Sequence, residues 1–136
     1  KEMREEARIF YKNASPYNPT YYWIDVEEAT MDNMNKGVQA FREELVKLGA
    51  KNVGIYIGTY FMTEQEISVE GFDAVWFPTY GTDSGYYNAA PQTTLDYDLH
   101  QYTSQGYLNG FASPLDLNQI SITKDTKETY EKLFGQ

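Results

Sequence analysis

Met3, Ala7 and Phe10 recur at the three-to-four-residue spacing of a helix face, and the stretch Asn13-Ala14-Ser15-Pro16-Tyr17-Asn18-Pro19 then breaks that helix. The period changes next. Tyr21-Tyr22-Trp23-Ile24-Asp25-Val26-Glu27 alternates, so Trp23, Asp25 and Glu27 share one face of a strand while Ile24 and Val26 share the other. A helical stripe returns in Met34, Val38, Phe41, Leu45 and Leu48, with Asp32 placed to cap its start and Gly49 to stop it. Residues 52–61 and 72–80 are β-branched and aromatic and predict two more strands, separated by a short helix or turn at 63–70 that ends at Gly71. A polar loop containing Gly and Tyr fills 81–97, a length that usually carries function. Residues 98–104 and 113–120 predict two further strands connected around Gly106 and Gly110. The tail from 123 to 136 predicts a short helix or a ragged end.

Strands alternating with helices, and near-continuously apolar, imply an α/β fold with parallel pairing covered by helices. In a β/α barrel the reactive side chains collect at the C-terminal ends of the strands, which is where Asp25 and Glu27 fall. Two acids two residues apart repel each other, and burying either is costly. The pair is therefore a solvated strand end or an active site. Asp116, inside the last predicted strand, poses the same choice between a hydrogen-bonded structural carboxylate and a site residue.

Composition narrows the chemistry. A chain of 136 residues with 41% hydrophobic content is one domain or part of a larger one. Its net charge of −9, without any Lys/Arg-rich run, argues against nucleic acid and against anionic membrane surfaces as partners. No apolar run approaches the ~20 residues needed to span a bilayer, and no secretory signal opens the chain. There is no cysteine, which excludes disulfides and thiolate chemistry. The single histidine, His100, rules out a His-rich metal site, and no nucleophile-elbow pattern surrounds any serine. His100 reads as a structural or ligand-contacting residue. Chemistry is left to carboxylates, with no metal and no cofactor expected. The 13 tyrosines suit ligands that combine apolar faces with hydroxyls, such as sugars, or else serve as half-buried packing.

The ordered set YYWIDVEEAT, an amphipathic helix, VGIYIGTYF, DAVWFPTYG and DLHQYTSQGYLNGFASPLDLNQI resembles family 25 of the glycoside hydrolases, lysozymes of phage endolysins and bacterial autolysins. The resemblance covers nearly the whole chain. It implies a TIM-like β/α barrel and cleavage of the β-1,4 bond between N-acetylmuramic acid and N-acetylglucosamine in peptidoglycan. Carried over to this sequence, Glu27 is the general acid and Asp25 the second acid of the Asp-x-Glu pair. Asp116 matches the Asp near the end of the final strand, and Tyr56, Trp76, Tyr80 and Gln101 match positions lining the sugar groove. His100 departs from the family, where an aromatic commonly precedes that Gln. Family members also open with a strand carrying an Asp-x-Ser motif, which has no counterpart here. The resemblance thus implies the C-terminal portion of the barrel, about strands 4–8, as a single partial domain over 1–136.

The residues fit that chemistry. A general acid must stay protonated at working pH, and Asp25 beside Glu27 supplies a like charge, with Trp23 and Tyr56 as apolar walls. The spacing of two carboxylates on one strand leaves retaining and inverting routes open; the favoured expectation is that the substrate's own 2-acetamido group is the nucleophile, with Asp25 orienting it. Missing strands would leave two open sheet edges, so the chain is expected to be inactive alone and to self-associate through them. The resemblance implies a secreted, wall-associated or phage-released protein whose partner is the peptidoglycan glycan strand. The competing expectation is a non-catalytic glycan-binding or self-associating fragment.

Overall fold

The computed structural model describes residues 2–135. Alternation decides the layers. In β1 (Tyr22–Val26) the even-numbered residues Tyr22, Ile24 and Val26 are buried, while Asp25 is exposed on the opposite face. β2 (Val53–Ile57) buries Val53, Ile55 and Ile57, and β3 (Ala74–Pro78) buries Val75 and Phe77 on the same side. Against this outer face pack Ala7 and Phe10 of α1 (Glu2–Ala14) and Met34, Val38, Phe41 and Leu45 of α2 (Met34–Leu48). Removing this apolar area from water is the main stabilising term of the layer.

Together with β4 (Leu99–Gly106) and β5 (Leu115–Ile120), these strands form one sheet in chain order. β1 to β4 are parallel, as the strand–helix–strand order predicts. β5 departs from that expectation and runs antiparallel to β4. The reason is its connection: residues 107–114 are too few for the crossover of a dozen or more that a parallel return needs. The result is a five-stranded arc of a TIM-like barrel. Among the described residues, β1 and β5 each pair on one side only.

Three local expectations shift. Asn33, not Asp32, caps α2, its side-chain oxygen accepting from the Lys36 N–H at 3.1 Å. Gly49 does end the helix, with a φ of +121° that favours glycine. The strand predicted over 52–61 stops at Ile57, and α3 (Thr59–Glu64) begins after Gly58 instead of at 63. Tyr60 is exposed and Met62 buried, a one-sided placement that a continued strand could not produce, because both would lie on the same face.

The tail folds as α4 (Thr126–Phe134), begun by Asp125 accepting from the Glu128 N–H at 2.8 Å. Its Leu133 is buried with Tyr21, Ala74 and Leu99, so α4 seals the inner face of the arc at the strand starts. Lys132 donates to Asp98 at 3.0 Å, and the other oxygen of this buried carboxylate takes the Val75 N–H at 2.9 Å. No helix among the described residues is long and apolar enough to cross a membrane.

Candidate active site

With α4 closing the strand starts, the inner face stays open at the strand ends, and the register shows what gathers there. Asp25 pairs with Tyr56, Tyr56 with Trp76, Pro78 with Gln101, and Gln101 with Asn118. Glu27 follows the last residue of β1, and Tyr80 lies two residues past β3. Trp23 can lie flat across its neighbouring strand because that neighbour is Gly54, where a Cβ would collide with the indole. The Trp23 and Trp76 rings meet edge-on at 5.5 Å, and Trp76 meets Tyr56 at 4.6 Å. This aromatic row floors the cleft.

Asp116 is two residues before Asn118 and so shares its face of β5. The resemblance places this Asp near the end of the final strand; it is the second residue of β5. Because β5 is antiparallel, its start lies at the same end of the sheet as the ends of β1 to β4. The side chain is exposed, and its charge is felt by the Tyr80 phenol. Asn118 accepts the Trp76 Nε1–H at 2.7 Å.

Tyr56 donates its hydroxyl to Gln101 Oε1, and Tyr80 donates to the same oxygen at 3.0 Å. Burial, then the neighbouring Tyr80, then the Glu27 and Asp25 charges hold the Tyr56 phenol well above its ordinary value. Glu27 is also raised above the ordinary carboxylate value, by lost hydration first and the adjacent Asp25 charge second, although its side chain remains open to solvent. A raised pKa keeps a carboxyl protonated to higher pH, the state in which it can donate.

The arrangement therefore brings Asp25, Glu27, Tyr56, Trp76, Tyr80 and Gln101 to one end of one face, with Asp116 on the same face of β5. His100 alternates with Gln101 and faces away from the cleft, its Nε2 2.7 Å from the Thr79 carbonyl oxygen and its ring against Tyr87. It is a buried structural residue, whose imidazole burial pushes below its ordinary value.

Two residues were not singled out from the sequence. Asn118 gives no local signal, since its partner Trp76 lies 42 residues away. Asp83 does give one: Gly81-Thr82-Asp83-Ser84-Gly85 is turn chemistry. Its carboxylate accepts from Thr103 Oγ1 at 2.6 Å and the Ser104 N–H at 2.7 Å, tying the long loop to β4. A separate groove of about 710 Å³ runs along the free edge of β1 between α1 and α2. It shares Trp23, Asp25 and Glu27 with the cleft but none of Tyr56, Trp76, Tyr80, Gln101 or Asp116, so it belongs to the open edge and not to the cleft.

A family model described as "Glycosyl hydrolases family 25" matches residues 1–111, a span that holds every cleft residue named above except Asp116 and Asn118. Among solved structures, a glycosyl hydrolase 25 of Streptococcus pneumoniae, described as a virulence factor participating in host cell invasion, is similar at a TM-score of 0.94 and 56% identity. That match covers 98% of this chain and 59% of the pneumococcal one. The catalytic domain of endolysin ply40, from bacteriophage P40 of Listeria monocytogenes, is similar at a TM-score of 0.79 and 28% identity, over 98% of this chain and 65% of that one. The CTP1L endolysin shares the fold, with a TM-score of 0.71 and 19% identity over 98% of this chain and 45% of its own. The chain thus spans less than two thirds of the length of each. No curated protein matches it.

Proposed function

The chain belongs to family 25 of the glycosyl hydrolases, and from that premise we propose that it carries the acid-bearing arc of a peptidoglycan hydrolase, a lysozyme acting on the β-1,4 bond between N-acetylmuramic acid and N-acetylglucosamine. One observation supports this reading above the others. Asp25 and Glu27 stand together at the end of β1, next to a floor of aromatic rings and a Tyr–Gln–Tyr cluster on the neighbouring strands. That is the combination a sugar needs: flat apolar faces to stack on, polar groups at the edges, and a protonated carboxyl beside the scissile bond.

In this reading Glu27 gives its proton to the departing glycosidic oxygen as the bond to the anomeric carbon breaks. The carbonyl oxygen of the substrate's 2-acetamido group closes on that carbon, with Asp25 holding the amide in place. Water then opens the cyclic intermediate, and Glu27, now a carboxylate, takes the proton that water loses. Asp116 sits across the arc and stabilises the positive charge that develops on the ring. The protein acts at the cell wall, from outside the cell or on release with phage.

The arc walls the cleft on one side and leaves Glu27 open toward the free edge of β1. By itself the 136-residue chain binds glycan without turning it over, and its open edges promote self-association. Clearing of peptidoglycan suspensions, with co-sedimentation on insoluble peptidoglycan as the binding measure, tests both parts. The expected result is binding without clearing by the chain, and clearing once the arc is joined to the remainder of a family barrel. A joined protein that folds and binds but never clears would leave a glycan-binding module. Absence of binding in both forms would overturn the site.

A further inference from the structure

Side chains from three consecutive strands meet at one atom. Tyr56 of β2, Tyr80 beyond β3 and Gln101 of β4 converge with both phenolic hydroxyls directed at Gln101 Oε1. Gln101 is 4% exposed, and its backbone sits in the ladder between Pro78 and Asn118. A carbonyl oxygen only accepts, whereas a phenol carries one proton and can also accept. Each tyrosine therefore gives its single proton to Gln101. What both hydroxyls retain is acceptor capacity. Burial raises both phenols; their mutual contact raises Tyr56 and lowers Tyr80, and the charge of Glu27 adds to each, so both stay neutral near neutral pH.

We infer that Gln101 is a positioning residue that fixes Tyr56 and Tyr80 as hydrogen-bond acceptors toward the cleft, so that the cleft selects at this point a ligand group with an N–H or O–H to donate. The identity of the ligand rests on the glycan reading above, in which the donor is the acetamido N–H or a ring hydroxyl of the sugar. The fixed proton direction does not rest on it. Without Gln101 the two phenols are free to turn their protons into the cleft, where they would face a donor with a donor.

The test uses the 136-residue chain and two readouts. Proton NMR should show the Tyr56 and Tyr80 hydroxyl protons as slowly exchanging resonances, assigned by their loss in Y56F and Y80F respectively. In Q101L both should disappear into solvent exchange. Titration with tri-N-acetylchitotriose should show Q101L and Y56F each weakening binding by about three- to tenfold, the scale of one neutral hydrogen bond. The double variant should be no weaker than Q101L alone, because the leucine has already disordered what Tyr56 offers. Additive losses, or hydroxyl protons that survive in Q101L, would overturn the inference. Should Q101L not fold, Y80F still decides: the Tyr56 proton must persist there, since Gln101 remains to take it, and its loss would contradict the proposal. If no form binds the trisaccharide, the glycan reading fails while the resonances still decide what Gln101 does.

Discussion

Trp76 and Phe77 are neighbours in β3, yet their surroundings differ in kind. Phe77 points outward into the layer formed by the sheet, α1 and α2 and is fully buried, in contact with Tyr97. Trp76 points inward, half-exposed, touching Tyr56, Trp23 and Asn118. The same division runs through the sheet. Ile24, Val26, Ile55 and Ile57 make the outer face a dry core, while Asp25, Tyr56, Gln101 and Asn118 make the inner face at the strand ends a polar, partnered surface. Apolar burial is concentrated on one face and polar, partnered groups at the strand ends of the other. Each strand serves both because its side chains alternate. Substitutions on the two faces should therefore fail in different ways.

The largest effect is expected at the acid. In a protein that completes the barrel around this arc, E27Q should lower turnover by about 10²- to 10⁴-fold while glycan binding survives. Near-normal clearing by that variant would remove Glu27 from its role. Next comes the outer face. F77A should cost about 3–5 kcal/mol of stability in chemical denaturation, the range for deleting a buried phenyl ring. W76F, one residue away, should leave stability far less changed and weaken glycan binding instead. Reversal of that pair would erase the distinction between faces.

A smaller effect lies in the pH dependence. The folded value of Glu27 is raised by lost hydration and by Asp25, so its protonated form persists to higher pH; if Glu27 is the acid, the rate should fall as pH rises through that value. D25N removes one of the two causes, and the alkaline limb of the pH–rate profile should move to lower pH. The same shift carries a stability sign. A carboxyl that binds its proton more tightly when folded loses stability as pH climbs from the unfolded value through the folded one. E27Q should then be at least as stable as the native chain above that window, as thermal unfolding would show. The smallest effect is expected at Glu28, outside the Asp-x-Glu pair, where E28Q should change clearing little. Equal damage from E27Q and E28Q would mean that both side chains serve the reaction.

Much of this division is legible in the sequence, because alternation and helical stripes are local signals. Trp23, Asp25 and Glu27 against Ile24 and Val26 follows from a period of two, and the stripe from Met34 to Leu48 follows from a period near four. What was misplaced depended on competition between local choices. Asn33 and Asp32 are both able caps, and it is Asn33 whose side-chain oxygen takes the Lys36 N–H. Tyr60 and Phe61 favour strands in isolation, but Met62 finds the core from a helix. The direction of β5 depends on the length of a connection, and the position of Asp116 follows from that direction. The Tyr56–Gln101–Tyr80 cluster joins residues 45 and 21 positions apart, a meeting that only the assembled sheet defines.

In the proposed reaction the cleft breaks one bond in the wall glycan, with Glu27 supplying the proton. The most direct measurement is the chemistry of the new ends. Peptidoglycan digested by a protein that completes the barrel around this arc should be reduced with borohydride and its amino sugars analysed. N-acetylmuramitol is expected at the newly formed ends, absent when the digesting protein carries E27Q. Reduced glucosamine ends, or muramitol produced equally by E27Q, would contradict the proposed reaction.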